Sequence, residues 1–324
     1  MSEQRETHLV RFGNTDLWVS RLCQGTAFRH LERSELDERG VAVLHHCLDV
    51  GVNFFDSAEA YGWGGAERAL GKAVKGRRDE VVLCTKVPGT SEPTSEGDPG
   101  EKTPYTRETL HRRVEGSLER LQTDYLDLYL LHHNDGVTPA EDIVESMEAL
   151  VQAGKVRYWG VSNHDGASLN ALVQACQTKG KTLLAGVEEY YNIAGLLDQN
   201  GQSRMATLER EVFPILRRTG LGILTFSPMD TGRLRPGHEE QAEPELRELI
   251  AVIDAVADDL GVLRSVVCTA WVLSHAEVTS VLAGSESTAH VDENLAGTQL
   301  QLPTAALDRL NAASQTYRKK QLER

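Results

Sequence analysis

Cationic residues are scarce in this chain: 34 Lys and Arg stand against 48 Asp and Glu, a formal net charge of −14 over 324 residues. No Lys/Arg run interleaved with aromatics offsets that charge, so a nucleic-acid backbone is repelled and no nucleic-acid partner is expected. Anionic membrane surfaces are disfavoured for the same reason, and the acidity then serves solubility. Cysteine is sparse too. Cys23, Cys47, Cys84, Cys176 and Cys268 form no C-x-x-C pair, and several sit in apolar runs, which predicts buried, reduced thiols. No apolar stretch is long enough to cross a bilayer, and the opening MSEQRETH has no apolar signal region; the cytoplasm is the expected location. No composition break, internal repeat or sustained low-complexity tract divides the chain. One domain over residues 1–324 is expected, although the length alone would also allow two.

Against these absences stands a regular alternation. Hydrophobic residues make up 40% of the chain, enough for a packed core. The runs SRLCQGT, NFFDS, EVVLCTKV, YLDLYLLH, VRYWGVSN, LAGVEEY, GILTFSP and TSVLAGS are short, apolar and closed by Gly, Ser, Asn, Asp or Pro at or near their ends, as strands are. Between most of them lie amphipathic segments such as LDERGVAVLHHCLDVG, TLHRRVEGSLERLQT and AEDIVESMEALVQAGK, with Gly51, Gly154 and Gly220 where helix C-caps fall. Eight strand–helix units predict an α/β fold, a (β/α)8 TIM barrel. The alternative, a doubly wound open sheet, would be favoured by a G-x-G-x-x-G turn after the first strand, and there is none. HLVRFGNTDLWVS reads as an N-terminal hairpin turning at Gly13-Asn14 that closes the barrel bottom, and HVDENLAGTQL and TAALDRLNAASQTY as extra C-terminal helices. Two polar Gly/Pro-rich loops, 88–104 and 228–244, are long for a barrel and follow the third and seventh strands, on the face where such barrels do chemistry. Each is either plain surface or a lid or cofactor clasp.

Four polar residues fall at or just past predicted strand ends: Asp56 after NFF, Tyr61 in the loop that follows, Lys86 after VVLCT and His132 after LDLYLL. Alone, each is more often structural than catalytic; strands two, three and four of a barrel are neighbours, so together these residues converge on one rim. Reduction of a carbonyl by hydride leaves an alkoxide that needs a proton. A free tyrosine, with a pKa of about 10, gives one up reluctantly at neutral pH. A lysine ammonium beside it stabilises the phenolate, and a carboxylate keeps a buried lysine charged. An imidazole can hydrogen-bond the carbonyl oxygen.

The stretch GVNFFDSAEAYGWGGAERALGKAVKG, with VVLCTKV and LDLYLLHHND, resembles the catalytic segments of the aldo-keto reductase family. RFGNTDLWVSRLCQGT, KVRYWGVSNH, GVEEYYN, GLGILTFSPMDTGRL and VLAGSESTAHVDENL follow in family order, so the resemblance covers nearly the whole chain. It implies a nicotinamide-dependent oxidoreductase acting on a small-molecule aldehyde, ketone or sugar, or the corresponding alcohol, with Asp56, Tyr61, Lys86 and His132 as the catalytic set. It further implies an NAD(P)(H) site. Thr26 and Asp56 lie at its strand-end rim, Ser162 and Asn163 on the nicotinamide carboxamide, Phe226 on the ring, and Ser227, Pro228 and Met229 along the pyrophosphate. Gly284, Glu286, His290, Glu293 and Asn294 match the adenosine segment.

Two departures stand out. Glu188 occupies the place of a family glutamine that touches the nicotinamide. Ionised, it would accept but not donate, and its charge would favour the oxidised ring; the alternative is a glutamate held neutral or turned away. The adenosine segment AGSESTAHVDENL has no Lys or Arg for a 2′-phosphate, which leans towards NAD(H), while Arg233 and Arg235 in the preceding loop offer an alternative reach. NAD against NADP is therefore open. Trp63, Phe28 and His133 are candidates for a substrate wall, with His30 an ordinary loop residue. A zinc pair at His132/His133 is a poor reading, since adjacent strand residues face opposite ways and no further ligand completes a set, so no metal is expected. The short polar tail leaves the pocket open or completed by a second copy in a homo-oligomer. Two other functions compete: a cofactor-binding regulatory subunit with little turnover, and a redox-neutral sugar-modifying enzyme that retains NAD.

Overall fold

The computed structural model describes residues 9–28, 38–91, 100–180, 184–197, 201 and 203–323. Two short strands, β1 (Leu9–Arg11) and β2 (Trp18–Ser20), form an antiparallel hairpin. The eight predicted runs then appear as β3 (Leu22–Gly25), β4 (Phe54–Asp56), β5 (Val82–Val87), β6 (Leu126–Leu131), β7 (Val156–Ser162), β8 (Leu184–Tyr190), β9 (Gly222–Phe226) and β10 (Ser280–Ala283). They pair in parallel and in chain order, and β10 returns to β3 to close the barrel.

The strands are buried almost throughout because both faces are covered: side chains fill the interior and helices pack the exterior. The helices on the outside are α1 (Glu38–Asp49), α2 (Gly65–Ala73), α3 (Arg107–Leu121), α4 (Ala140–Gln152), α5 (Gly166–Thr178), α6 (Arg204–Thr207), α7 (Phe213–Thr219), α8 (Pro244–Leu260) and α9 (Arg264–Leu273), followed by α10 (Thr288–Gln299) and α11 (Thr304–Leu322). A π-helical turn, Leu208–Val212, joins α6 to α7. Gly51, Gly154 and Gly220 have positive φ at or just after helix ends, the conformation that stops a helix most easily. Among the described residues no helix is long and apolar enough to cross a membrane.

The hairpin plugs the barrel bottom. Phe12, Leu17 and Val19 join Cys23, Phe54, Cys84, Leu128, Leu130, Ala185 and Leu224 in one interior cluster. Phe12 fits because Gly186 and Gly222 leave its ring room: a Cβ on Gly186 would strike the Gly222 carbonyl and come within 2.9 Å of Phe12. The interior is thus filled with apolar side chains below and opens to polar ones only at the strands' C-terminal ends. All five cysteines are buried free thiols.

Candidate active site

Inward-facing positions at the C-terminal ends of β4, β5 and β8 bring Asp56, Lys86 and Glu188 together. Lys86 is fully buried, and its Nζ donates to both carboxylate oxygens of Asp56 at 2.5 and 2.6 Å and to the Ser57 carbonyl at 3.0 Å. Its remaining donor reaches the Tyr61 hydroxyl at 3.4 Å. Glu188 Oε2 lies 3.3 Å from the same nitrogen but is without a hydrogen-bond partner. Thr26 closes the arrangement from β3, donating from Oγ1 to the Asp56 carbonyl and to Ser57 Oγ, each at 3.0 Å.

Tyr61 sits in a tight 3-10 turn, Tyr61–Gly64, in which Gly62, Trp63 and Gly64 all have positive φ. For Trp63, at φ 43°, that conformation is strained. The turn is anchored by its approach: Glu59 takes Arg113 Nη1 at 2.9 Å, while Arg113 Nη2 donates to the Thr90 carbonyl at 3.0 Å, so one guanidinium of α3 ties together the loops after β4 and β5. His132, at the end of β6, meets Tyr61 edge-on with ring centroids 5.6 Å apart.

Burial outweighs Lys86 at Tyr61 and raises its pKa, so the phenol is protonated and loaded as a donor, while Lys86 acts in the expected direction and lowers it. Lys86 is itself held far above the ordinary lysine value, its desolvation overcome chiefly by the Asp56 carboxylate. Burial, then Lys86 and His133, push His132 down to about 2: it is a neutral imidazole that can hydrogen-bond but not deliver a second charge. Glu188 is pushed well up, first by burial and then by Asp56. Of the two alternatives, ionised or neutral, that direction favours the neutral acid, since a second carboxylate beside Asp56 would be a buried charge that Lys86 alone does not balance. Asp56, Cys84 and Glu188 could by spacing hold a metal ion, but the Lys86 ammonium sits among them and repels one.

His132 and His133 differ from expectation. Their rings stack in parallel, centroids 4.7 Å apart at 6°, rather than facing opposite ways. Both lie beyond Leu131, the last residue of β6, so strand alternation no longer governs them. Phe28, a candidate for the substrate wall, is buried and belongs to the larger apolar cluster between strands and helices. His30 lies outside the described residues, as do 92–99 of the loop 88–104, whose stem is closed by a Thr90–Lys102 bridge.

The implied cofactor residues line the ends of β7, β9 and β10. Ser162 is buried, and Asn163, at φ 56°, donates from Nδ2 to Ser162 Oγ at 3.0 Å and to the His132 carbonyl at 3.1 Å. Arg204 Nη2 donates to Asn163 Oδ1 at 2.7 Å, and the guanidinium lies 5.4 Å from the Tyr190 ring centroid. Arg204 was not singled out from the sequence; it follows a loop with no motif, and only the fold returns it to β7. Phe226 meets Tyr190 edge-on at 5.7 Å. Ser227 has φ 62°; Pro228 is buried and Met229 half-buried. Asn294 is buried and bonded to Ser285, His290 and Thr269, and Glu293 accepts from Ser265 at 2.7 Å; Gly284 is exposed, and Glu286 and His290 are partly so. Arg233 is not free for a phosphate. It pairs with Asp230 at 3.0 Å and Glu243 at 2.7 Å and donates to the Tyr317 hydroxyl at 3.0 Å, while Asp230 in turn accepts from Tyr190. Among the described residues Arg235 has no carboxylate within ion-pair distance.

The model of the aldo/keto reductase family matches residues 21–315. The chain belongs to that family. Its aldo/keto reductase relatives include the uncharacterized oxidoreductase YrpG of Bacillus subtilis, 32% identical with 92% of this chain and 93% of the relative covered. Methylglyoxal reductase YeaE of Escherichia coli is 31% identical over 94% of each. Among solved structures, an aldo/keto reductase of Klebsiella pneumoniae in complex with NADP and acetate is similar with a TM-score of 0.73, at 31% identity and 94% coverage of both chains. Both fold and family are those the motifs implied.

Proposed function

We propose that this aldo/keto reductase interconverts a small-molecule carbonyl (an aldehyde, ketone or sugar) and its alcohol, using NAD(P)(H), with Tyr61 as proton donor in reduction and base in oxidation. The observation that carries the reading is the single ammonium, Lys86, fixed by Asp56 and in hydrogen-bond contact with Tyr61. The residues present suit a nicotinamide: Glu188 offers a buried carboxyl oxygen without a partner, which a carboxamide NH2 would satisfy, and Asn163 Oδ1 keeps a second lone pair beside Arg204. Ser162, Asn163 and Glu188 would hold the carboxamide, Phe226 the ring, Ser227 to Met229 the pyrophosphate, and Gly284, Glu286, His290, Glu293 and Asn294 the adenosine. When bound, the nicotinamide supplies or accepts the hydride.

The chain's own part is the proton. His132, neutral, hydrogen-bonds the substrate oxygen and holds it in line with Tyr61. The Tyr61 proton passes to the alkoxide oxygen as Lys86 takes up the phenolate charge, a positioned transfer worth roughly 10²–10⁴-fold. Trp63 and His133 flank that oxygen's approach. The burial that favours a neutral Glu188 speaks against retention of an oxidised cofactor, and the intact Asp56–Lys86–Tyr61 contact favours turnover over a purely regulatory role. Purified protein screened with NADH and NADPH separately against carbonyls and sugars should turn over, and Tyr61→Phe should lose at least about a hundredfold in kcat. Wild-type turnover by Tyr61→Phe sinks the assignment.

A further inference from the structure

An ammonium has three N–H donors. At Lys86 the two Asp56 oxygens, 2.5 and 2.6 Å away and too close in angle for separate donors, share one; the Ser57 carbonyl takes another, and the third is within reach of two oxygens, Tyr61 OH at 3.4 Å and Glu188 Oε2 at 3.3 Å. In this structure Tyr61 has the bond and Glu188 Oε2 has none. The distances are nearly equal, so acceptor strength decides which oxygen holds the donor. A neutral carboxylic acid competes poorly; a carboxylate accepts a charge-assisted bond about twice as strong as a neutral one.

We propose that Glu188 sets the acidity of Tyr61 by competing with it for the third N–H of Lys86, so that loss of the Glu188 proton withdraws Lys86 from Tyr61. Glu188 is then a positioning residue: it acts on the proton transfer through Lys86. The proposal rests on Tyr61 being the proton donor. Two effects run the same way when Glu188 ionises. The phenolate loses its hydrogen bond, and a second negative charge stands near it in a dry site, so Tyr61 becomes a poorer acid and a stronger base. Carbonyl reduction then slows as pH rises through the Glu188 ionisation.

The groups facing Glu188 are few. Asp56 on β4 opposes its ionisation and Lys86 on β5 favours it. Cys23 on β3 and Cys84 on β5 have thiols pushed well up by burial and stay neutral. Tyr61, on the turn after β4, is protonated throughout the range concerned. The burial that favours the protonated form of Glu188 places its ionisation above the usual carboxylate range.

Protein carrying ring-13C tyrosine tests this by NMR over a pH series, with the Tyr61 resonance assigned by its loss in Tyr61→Phe. In the wild type the Tyr61 signal should show an inflection above the ordinary carboxylate range. Glu188→Gln, which keeps an acceptor but cannot ionise, and Glu188→Leu, which removes both, should each lose that inflection and stay near the acid-end position. Where the Gln variant fails to fold, the Leu variant, which keeps the site filled, carries the same test. The kcat for reduction should fall about tenfold through the same inflection in the wild type and stay level in the Gln variant, one pKa unit being about tenfold. A flat Tyr61 signal in the wild type, or an inflection that persists in either variant, overturns the proposal. Retained turnover in Tyr61→Phe would instead overturn the functional reading, so the two failures are distinguishable.

Discussion

At the scale of the residue, the site is a charge balance with one cation. Lys86 is enclosed by Asp56 and Glu188, and among the described residues no other Lys or Arg pairs with either carboxyl. Lys86→Met would therefore remove both the partner of the Tyr61 phenolate and the counter-charge of Asp56. Turnover should fall roughly 10²–10⁴-fold, and stability should drop by about 3–5 kcal/mol because the carboxylate is left buried and unpaired. Urea unfolding at pH 7 beside steady-state kinetics separates the two effects, and an unchanged midpoint would contradict the burial argument. The arginines after β9 part company in the same way. Arg233 is spent on Asp230, Glu243 and Tyr317, whereas Arg235 forms no ion pair among the described residues. If a 2′-phosphate is gripped from this loop, Arg235→Ala should weaken NADPH about tenfold and leave NADH unchanged, and equilibrium binding of both to wild type and variant would show it. An equal effect on the two removes Arg235 from phosphate recognition.

Elements show what local sequence could and could not carry. The strands were legible because each is short, apolar and closed by turn-forming residues, and the parallel, doubly covered sheet demands such runs. The hairpin was legible from Gly13-Asn14, but its role as a plug depends on Phe12 fitting against Gly186 and Gly222, from strands far along the chain. Phe12→Ala should cost about 3–5 kcal/mol as an interior cavity; a loss below about 1 kcal/mol in urea unfolding would show that the plug is dispensable. Loops were less readable. The stacking of His132 on His133 follows from the end of β6, whose boundary decides whether alternation applies. Arg204, Arg113 and Arg233 owe their places to partners 41, 54 and 84 residues away, Asn163, Glu59 and Tyr317. No window of neighbouring residues contains those pairings. Arg113→Met should lower kcat several-fold while leaving the barrel folded, because it frees the turn that carries Tyr61; circular dichroism with kinetics would test this, and unaltered kcat would count against the tie.

For the whole molecule, composition and order of motifs established the barrel and its family, while the charge states did not follow from residue type, since burial sets them. Two neighbours illustrate this with opposite signs. His164 is buried and its pKa is lowered, first by burial. Glu189, whose Oε1 accepts from the His164 backbone N–H at 2.8 Å, is raised by burial to about 8. Below about pH 6.5 the unfolded chain protonates a histidine that the folded protein keeps neutral, so His164 lowers stability as pH falls. Between about pH 4.3 and Glu189's value of about 8 the folded protein holds a proton that the unfolded chain releases, so Glu189 lowers stability as pH rises. Each slope is about 1 kcal/mol per pH unit. The two oppose each other just below about pH 6.5, and Glu189 alone acts from there to about 8. Relative to wild type, His164→Gln should therefore extend the decline with rising pH down to about pH 4.3, while Glu189→Gln should level the profile above about pH 6.5 and leave a loss on the acid side. Urea midpoints at constant ionic strength across pH 5 to 8 would resolve the profiles; a variant profile parallel to wild type means that its residue keeps an ordinary pKa in the fold.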